Sequence, residues 1–264
     1  MNILDQIVEH KRKEVEDHKS LYPIELLEQS IYFSAPTFSL REYVSRKDKS
    51  GIIAEIKRRS PSKGVINPHV SIEHISVGYV QAGASALSIL TDNHFFGGSN
   101  EDLITARKFN FCPILRKEFI IDEYQIIEAK AIGADAILLI AAVLSPDEVK
   151  KLATFAHTLG LEVLMEVHNE EEIMNNGEAG ADLIGVNNRN LKTFELTIDT
   201  SKRLSSLIPD EVIKVSESGI ESPEAIVELK SYGYKGFLIG QTFMQHSHPD
   251  KAAIEFINQL NQLG

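Results

Sequence analysis

Glu55 and Lys57 close an apolar run at 51–57, Lys117 falls late in a run at 113–119, and Glu166 falls late in one at 161–167. Asn187 and Arg189 stand at the end of a run at 183–188, and Ser216, Glu217 and Ser218 end one at 212–218. Lysines and carboxylates donate and accept protons in general acid–base catalysis, so the residue types point towards proton-transfer chemistry. A strand period of two puts Glu55 and Lys57 on one face, and Leu115, Lys117 and Phe119 on one face. A charge that faces an apolar interior is costly unless paired, so these lysines and glutamates are expected to pair with one another. Any single one could mark only the point where a strand emerges into solvent. Charges ending three odd-numbered runs, with Asn187 and Arg189 beside them, describe a site better than a coincidence.

For these residues to meet, the runs must be strands that end on a common rim. Apolar runs occur at 51–57, 86–91, 113–119, 136–142, 161–167, 183–188, 212–218 and 236–241, separated by segments of helical patterning. Their spacing of roughly 22 to 35 residues is the room that one strand and one returning helix occupy. They read as near-continuous Ile, Leu, Val and Ala, as parallel strands covered by helices do. Gly83, Gly133, Gly180 and Gly233 precede alternate runs, where a glycine suits the turn that ends a helix. Ser145-Pro146 and Ser222-Pro223 mark helix starts. The repeat predicts an α/β fold of the (β/α)8 barrel type, with its site at the C-terminal strand ends. Residues 1–264 read as one domain, of which 1–48 is an N-terminal helical extension lying across one end of the barrel. Two helical segments are expected there, the first with Ile3, Ile7 and Val8 on one face.

The composition, 43% hydrophobic and 25% charged, is that of a globular protein. The longest apolar run, 136–144, is about nine residues, against the roughly 20 that a membrane-spanning helix needs. With Asp5 near its start the chain lacks the basic, then apolar, pattern of a secretory signal, and a cytoplasmic location is expected. The single cysteine, Cys112, excludes an internal disulfide and Cys-based zinc patterns, and reads as a small buried hydrophobe at the closed end of the barrel. His246 and His248, followed by Pro249, read as a loop and not as a metal site. A net charge of −11 argues against a nucleic-acid partner. Lys57, Arg58, Arg59 and Lys63 form a local basic cluster, read either as a focus for an anionic ligand or as a solvated loop.

The most specific string is Ile53-Ala54-Glu55-Ile56-Lys57-Arg58-Arg59-Ser60-Pro61-Ser62-Lys63-Gly64. It resembles the signature of the indole-3-glycerol-phosphate synthase family. Phe95-Phe96-Gly97-Gly98-Ser99, Leu115-Arg116-Lys117-Glu118-Phe119, Leu164-Met165-Glu166-Val167, Val186-Asn187-Asn188-Arg189-Asn190-Leu191, Glu217-Ser218-Gly219-Ile220 and Phe237-Leu238-Ile239-Gly240 resemble that family's further motifs, in its order. The resemblance implies a (β/α)8 barrel with an N-terminal helical extension, no metal and no organic cofactor. The implied substrate is 1-(2-carboxyphenylamino)-1-deoxyribulose 5-phosphate, and the products are indole-3-glycerol phosphate, carbon dioxide and water. By position in the motifs, Lys117 resembles the general acid, Glu166 the general base, and Glu55 and Lys57 a supporting pair. Asn187, Arg189 and Glu217 resemble polar site residues, and Ser218, Gly219 and Gly240, with Gln241 beside them, the phosphate site. Ser60, Phe96 and Phe119 are expected to line the pocket for the aromatic ring and the sugar.

The chemistry agrees with those roles. A protonated lysine can donate to the ketone oxygen, and a carboxylate can accept the proton released on the way to indole. Glycines after the last two strands let backbone N–H groups approach a phosphate. A phosphoribosylanthranilate isomerase type barrel is the nearest rival, but that family resembles a cysteine and aspartate pair where this chain has Glu55-Ile56-Lys57 and Asn187. A non-catalytic phosphate-ligand sensor is the other, and it has no need of both Lys117 and Glu166. Two departures from the family pattern stand out. Gln241 occupies a place where relatives carry a small residue, and the chain has no tryptophan to serve as the aromatic found in some relatives' first helix.

Overall fold

The computed structural model describes residues 3–190 and 195–263, so Leu191, the last residue of one quoted motif, lies outside the described part. Eight parallel strands close into a barrel in chain order. They are β1 (Ile52–Ile56), β2 (Ala86–Leu90), β3 (Ile114–Lys117), β4 (Ala136–Ile140), β5 (Glu162–Val167), β6 (Leu183–Asn187), β7 (Ile213–Glu217) and β8 (Tyr234–Ile239). The ring closes where β1 pairs with β8, Ile52 opposite Phe237 and Ala54 opposite Ile239.

Alternation along each strand separates two apolar layers. Ile53, Leu115, Leu138, Leu164, Leu183, Val215 and Leu238 fill the barrel interior. Ile52, Ala54, Leu87, Ile114, Ile137, Val163, Ile184 and Phe237 pack outward against the helices. Both faces are therefore apolar, which is why the strands read as continuous hydrophobic runs. Several runs extend past their strands, two of them with expected site residues. β3 ends at Lys117, leaving Phe119 in the loop, and β8 ends at Ile239, so Gln241 opens a short helix, Gln241–Met244. A run of apolar residues does not distinguish the last strand position from the first turn packed over it.

The helix punctuation forms as the sequence predicts at most positions. Gly83 and Gly133 end their helices with φ of 103° and 93°, and Ser145 makes a capping box with Glu148. Ser222 stands at the N-cap position, but its side chain does not cap the backbone.

The extension holds three helices where two are expected: α1 (Ile3–Leu21), α2 (Ile24–Leu27) and α3 (Leu40–Ser45). It covers both ends of the barrel and not one. Leu40 and Val44 of α3 belong to the interior cluster of Ile53, Ala86, Leu115, Ala136 and Ile213 and close the N-terminal end. α1 lies at the opposite end. Below, Asp135 ties the linker to the barrel by accepting the Phe38 and Ile114 N–H groups at 2.8 and 2.7 Å. Cys112 is buried before β3, and burial pushes its thiol up to about 12. Among the described residues no helix is long and apolar enough to cross a membrane.

Candidate active site

The ladder registers place Glu55, Lys117, Glu166 and Glu217 in one ring. Each follows, two residues on, an interior apolar residue of its strand: Ile53 on β1, Leu115 on β3, Leu164 on β5 and Val215 on β7. Barrel interiors are built in layers of four side chains from alternate strands. Here the last layer on the odd strands is charged. Lys117 Nζ donates to Glu217 Oε2 at 2.5 Å and to Glu166 Oε2 at 3.0 Å. Lys57 Nζ donates to Glu55 Oε1 at 2.6 Å. The expected pairing of lysines with carboxylates is thus formed, both across the barrel and at the end of β1.

A cavity of about 470 Å³ opens above this layer and brings together every site residue expected from the sequence. Glu55, Lys57, Lys117, Glu166, Asn187 and Glu217 form its floor, while Ser60, Phe96, Phe119, Arg189, Ser218, Gly219, Gly240 and Gln241 line its walls. The rings of Phe96 and Phe119 are 5.8 Å apart and make one aromatic wall. Ile3, Leu4 and Ile7 of α1 also line it, so the first helix reaches the cavity without a tryptophan.

The rim beyond β7 and β8 is shaped by its backbone. Ser218 has φ 67°, in the left-handed region that costs an L-residue about 1–2 kcal/mol. Asn188 holds it there, donating from Nδ2 to Ser218 O at 3.0 Å and to Ser216 Oγ at 2.9 Å. Ser201 donates its N–H and its hydroxyl back to Asn188 Oδ1. Gln241 and Thr242 start the short helix after β8, where the first N–H groups have no partner within the helix. Gln241 and Thr242 line the cavity from this side. Gly240 has a second role. A Cβ there would lie 2.5 Å from Glu55 Oε1, so the glycine also makes room for the β1 carboxylate.

Burial disfavours the Lys117 ammonium, but Glu217, Glu166 and Glu55 outweigh it and hold the amine above the usual lysine range. Burial would likewise raise Glu166, yet Lys117 and His168 hold its carboxyl well below the usual range. Burial pushes Glu217 up to about 7; Lys117 opposes this, and Glu166 and Glu55 add to it. Glu166 and Glu217 share one lysine, so the excess negative charge of the trio is relieved at Glu217 and Glu166 stays ionised.

Several residues near the site escape the sequence reading. His168 is half-buried, with Nε2 3.4 Å from Glu166 Oε1 and Nδ1 3.3 Å from Glu172 Oε2. Its position two residues past Glu166, on the same strand face, is the signal that could have found it. Gly185 leaves the space that Glu217 occupies, and a glycine inside a strand is a known sign of close approach. The basic cluster largely serves the structure. Arg58 pairs with Asp102, Arg59 donates to the Asn93 and His94 carbonyls, and Lys57 alone of the four lines the cavity. These arginines pin the loop after β2, which explains why they do not gather around a ligand.

A closed (β/α)8 barrel with a charged lysine–carboxylate layer at its C-terminal rim defines a barrel enzyme of the acid–base type. The family model described as indole-3-glycerol phosphate synthase matches residues 4–256. The chain is 48% identical over 259 residues to the indole-3-glycerol phosphate synthase of Bacteroides thetaiotaomicron, covering 98% of this chain and 99% of that one. It is 46% identical over 245 residues to that of Caldanaerobacter subterraneus subsp. tengcongensis, covering 92% and 93%. It belongs to the indole-3-glycerol phosphate synthase family. Thiamine phosphate pyrophosphorylase from Pyrococcus furiosus shares the fold alone, with a TM-score of 0.61 at 15% identity over 85% of this chain and 99% of that one.

Proposed function

We propose that this chain closes the indole ring in tryptophan biosynthesis, converting 1-(2-carboxyphenylamino)-1-deoxyribulose 5-phosphate to indole-3-glycerol phosphate, carbon dioxide and water. The observation that carries the reading is the layer of Glu55, Lys117, Glu166 and Glu217 beneath the Phe96–Phe119 wall, in a chain of this family. The substrate's ring lies against that wall, and its phosphate lies at the backbone donors around Gly219 and Gln241, on the other side of the cavity.

Lys117 is the proton donor. As the ring carbon that bears the carboxylate attacks the ketone carbon, the carbonyl electron pair moves to oxygen, which takes a proton from Nζ. The ring carbon then loses its carboxylate as carbon dioxide, and the bonding electrons restore the aromatic ring and the neutral nitrogen. Glu166, held ionised by Lys117 and His168, removes a proton from the neighbouring CH2 as the hydroxyl departs. Lys57 is the second ammonium in the cavity and supplies the proton with which that hydroxyl leaves as water. Asn187 and Arg189 orient the substrate's polar groups, and Glu217 holds Lys117 in place. Every proton transfer has a protein group to perform it.

The extension and the barrel act here as one unit, since α1 supplies part of the cavity wall. A cytoplasmic setting fits a chain whose one cysteine is free and buried. The rival isomerase chemistry finds no support, because Cys112 lies at the end of the barrel remote from the cavity.

The test is turnover by the purified chain, following indole-3-glycerol phosphate and carbon dioxide together. One carbon dioxide per product, at the same rate with and without a chelator, is expected. No turnover, or ring closure without carbon dioxide release, contradicts the reading.

A further inference from the structure

Lys11 is 1% exposed and sits on α1, an element that none of the proton transfers requires. Its Nζ lies 3.0 Å from each of three carboxylates: Glu14 on the same helix, Asp92 in the loop after β2, and Glu118 just after β3. The two loop carboxylates hold the backbone beneath the aromatic wall. Asp92 Oδ1 accepts the N–H groups of Phe95 and Phe96 at 2.7 and 3.1 Å. Glu118 Oε1 accepts the N–H of Phe119 at 2.8 Å, and Oε2 accepts the Thr91 hydroxyl at 2.7 Å. Beside Lys11, the His10 ring lies 4.4 Å from His94 and 5.6 Å from Phe95.

A lysine taken this far from water is costly unless it satisfies charges that are themselves buried. Here it bridges two carboxylates from different loops at once. We propose that Lys11 is a positioning residue for the substrate's aromatic ring, joining Asp92 to Glu118 so that Phe96 and Phe119 stand as a preformed wall. Without the ammonium, the two carboxylates are left buried and unneutralised, and they separate, carrying the Phe96 and Phe119 backbones with them. A preformed wall binds its ligand more tightly because no ordering remains to be done on binding. The effect should fall on the aromatic end of the ligand and spare the phosphate end. This inference rests on the function proposed above, which supplies the ring.

The experiment compares wild type, Lys11→Met and Lys11→Arg, measuring KM and kcat together with the binding of 2-aminobenzoate and of inorganic phosphate by calorimetry. For Lys11→Met, KM and the 2-aminobenzoate Kd are expected to rise at least about tenfold, with kcat and the phosphate Kd within about threefold. Lys11→Arg keeps the charge in a larger head group and should show the same selectivity at about threefold. If Lys11→Met does not fold, Lys11→Arg decides by the same readouts. Unchanged KM, or equal losses for 2-aminobenzoate and phosphate, overturns the proposal. Wild type that binds both probes but does not turn over contradicts the proposed function, whereas the binding comparison still tests Lys11.

Discussion

A Cβ on Gly185 would lie 2.0 Å from Oε1 of Glu217, so the β7 carboxylate occupies the space that β6 leaves by carrying no side chain. Glu217 is 1% exposed, so a side chain at position 185 would displace its carboxylate. Gly185→Ala should push Glu217 off Lys117 and lower kcat by at least about tenfold, roughly 1.4 kcal/mol, with a smaller change in KM. Steady-state kinetics checks this, and a variant with wild-type kcat would show that the Lys117–Glu217 contact is dispensable.

Gly240 makes the same kind of room for Glu55, at 2.5 Å. Gly240→Val should therefore lower kcat through the displaced carboxylate and raise KM through the phosphate loop, by at least about 10²-fold in kcat/KM. Gln241→Ser should alter kcat/KM by less than about tenfold if, as proposed, backbone N–H groups hold the phosphate there. A large loss for Gln241→Ser beside a silent Gly240→Val would place phosphate recognition on side chains.

Glu217 is pushed up to about 7, so it takes on its charge as pH rises through neutrality. Each added negative charge in the cavity opposes a substrate that carries a carboxylate and a phosphate. The kcat/KM profile should fall above about pH 7, and Glu217→Gln should remove that limb while lowering the plateau. A limb that survives unchanged in Glu217→Gln belongs to another group.

Away from the site, Glu128 offers a test of stability. Burial alone would raise its carboxyl, but Arg116 and His18 outweigh burial and hold it down at about 2. A carboxyl held below its unfolded value stabilises the fold above that value and loses the contribution as pH falls towards the folded one. Glu128→Gln, which leaves Arg116 buried without its counter-charge, should cost about 3 kcal/mol at pH 7. Chemical denaturation should show this gap closing between pH 4.5 and about 2, the unperturbed and folded values. A gap independent of pH would assign the loss to packing.

The strands and the charged layer are legible in the sequence for one reason: a charge that ends an apolar run is placed at the barrel rim. Glu55, Lys117, Glu166 and Glu217 all carry that signal. α3 does not, since Leu40 and Val44 are too few apolar residues to set a period. The seat of α1 is hidden for another reason. Lys11 looks like one more charge in a mixed run, and only folding brings Asp92 and Glu118 to it. Arg58 and Arg59 mislead in the opposite direction, because adjacent positive charges suggest an anion site while their partners, Asp102 and two carbonyls, lie far along the chain.

Proton transfer by Lys117 and Glu166 is tested most directly by measuring kcat for Lys117→Met and Glu166→Gln, with binding of the substrate to each variant confirmed separately. Both variants should bind substrate within about tenfold of wild type, since ring and phosphate are held elsewhere, and both should lose at least about 10²-fold in kcat. A variant that binds normally and keeps near wild-type kcat would contradict the role given to that residue.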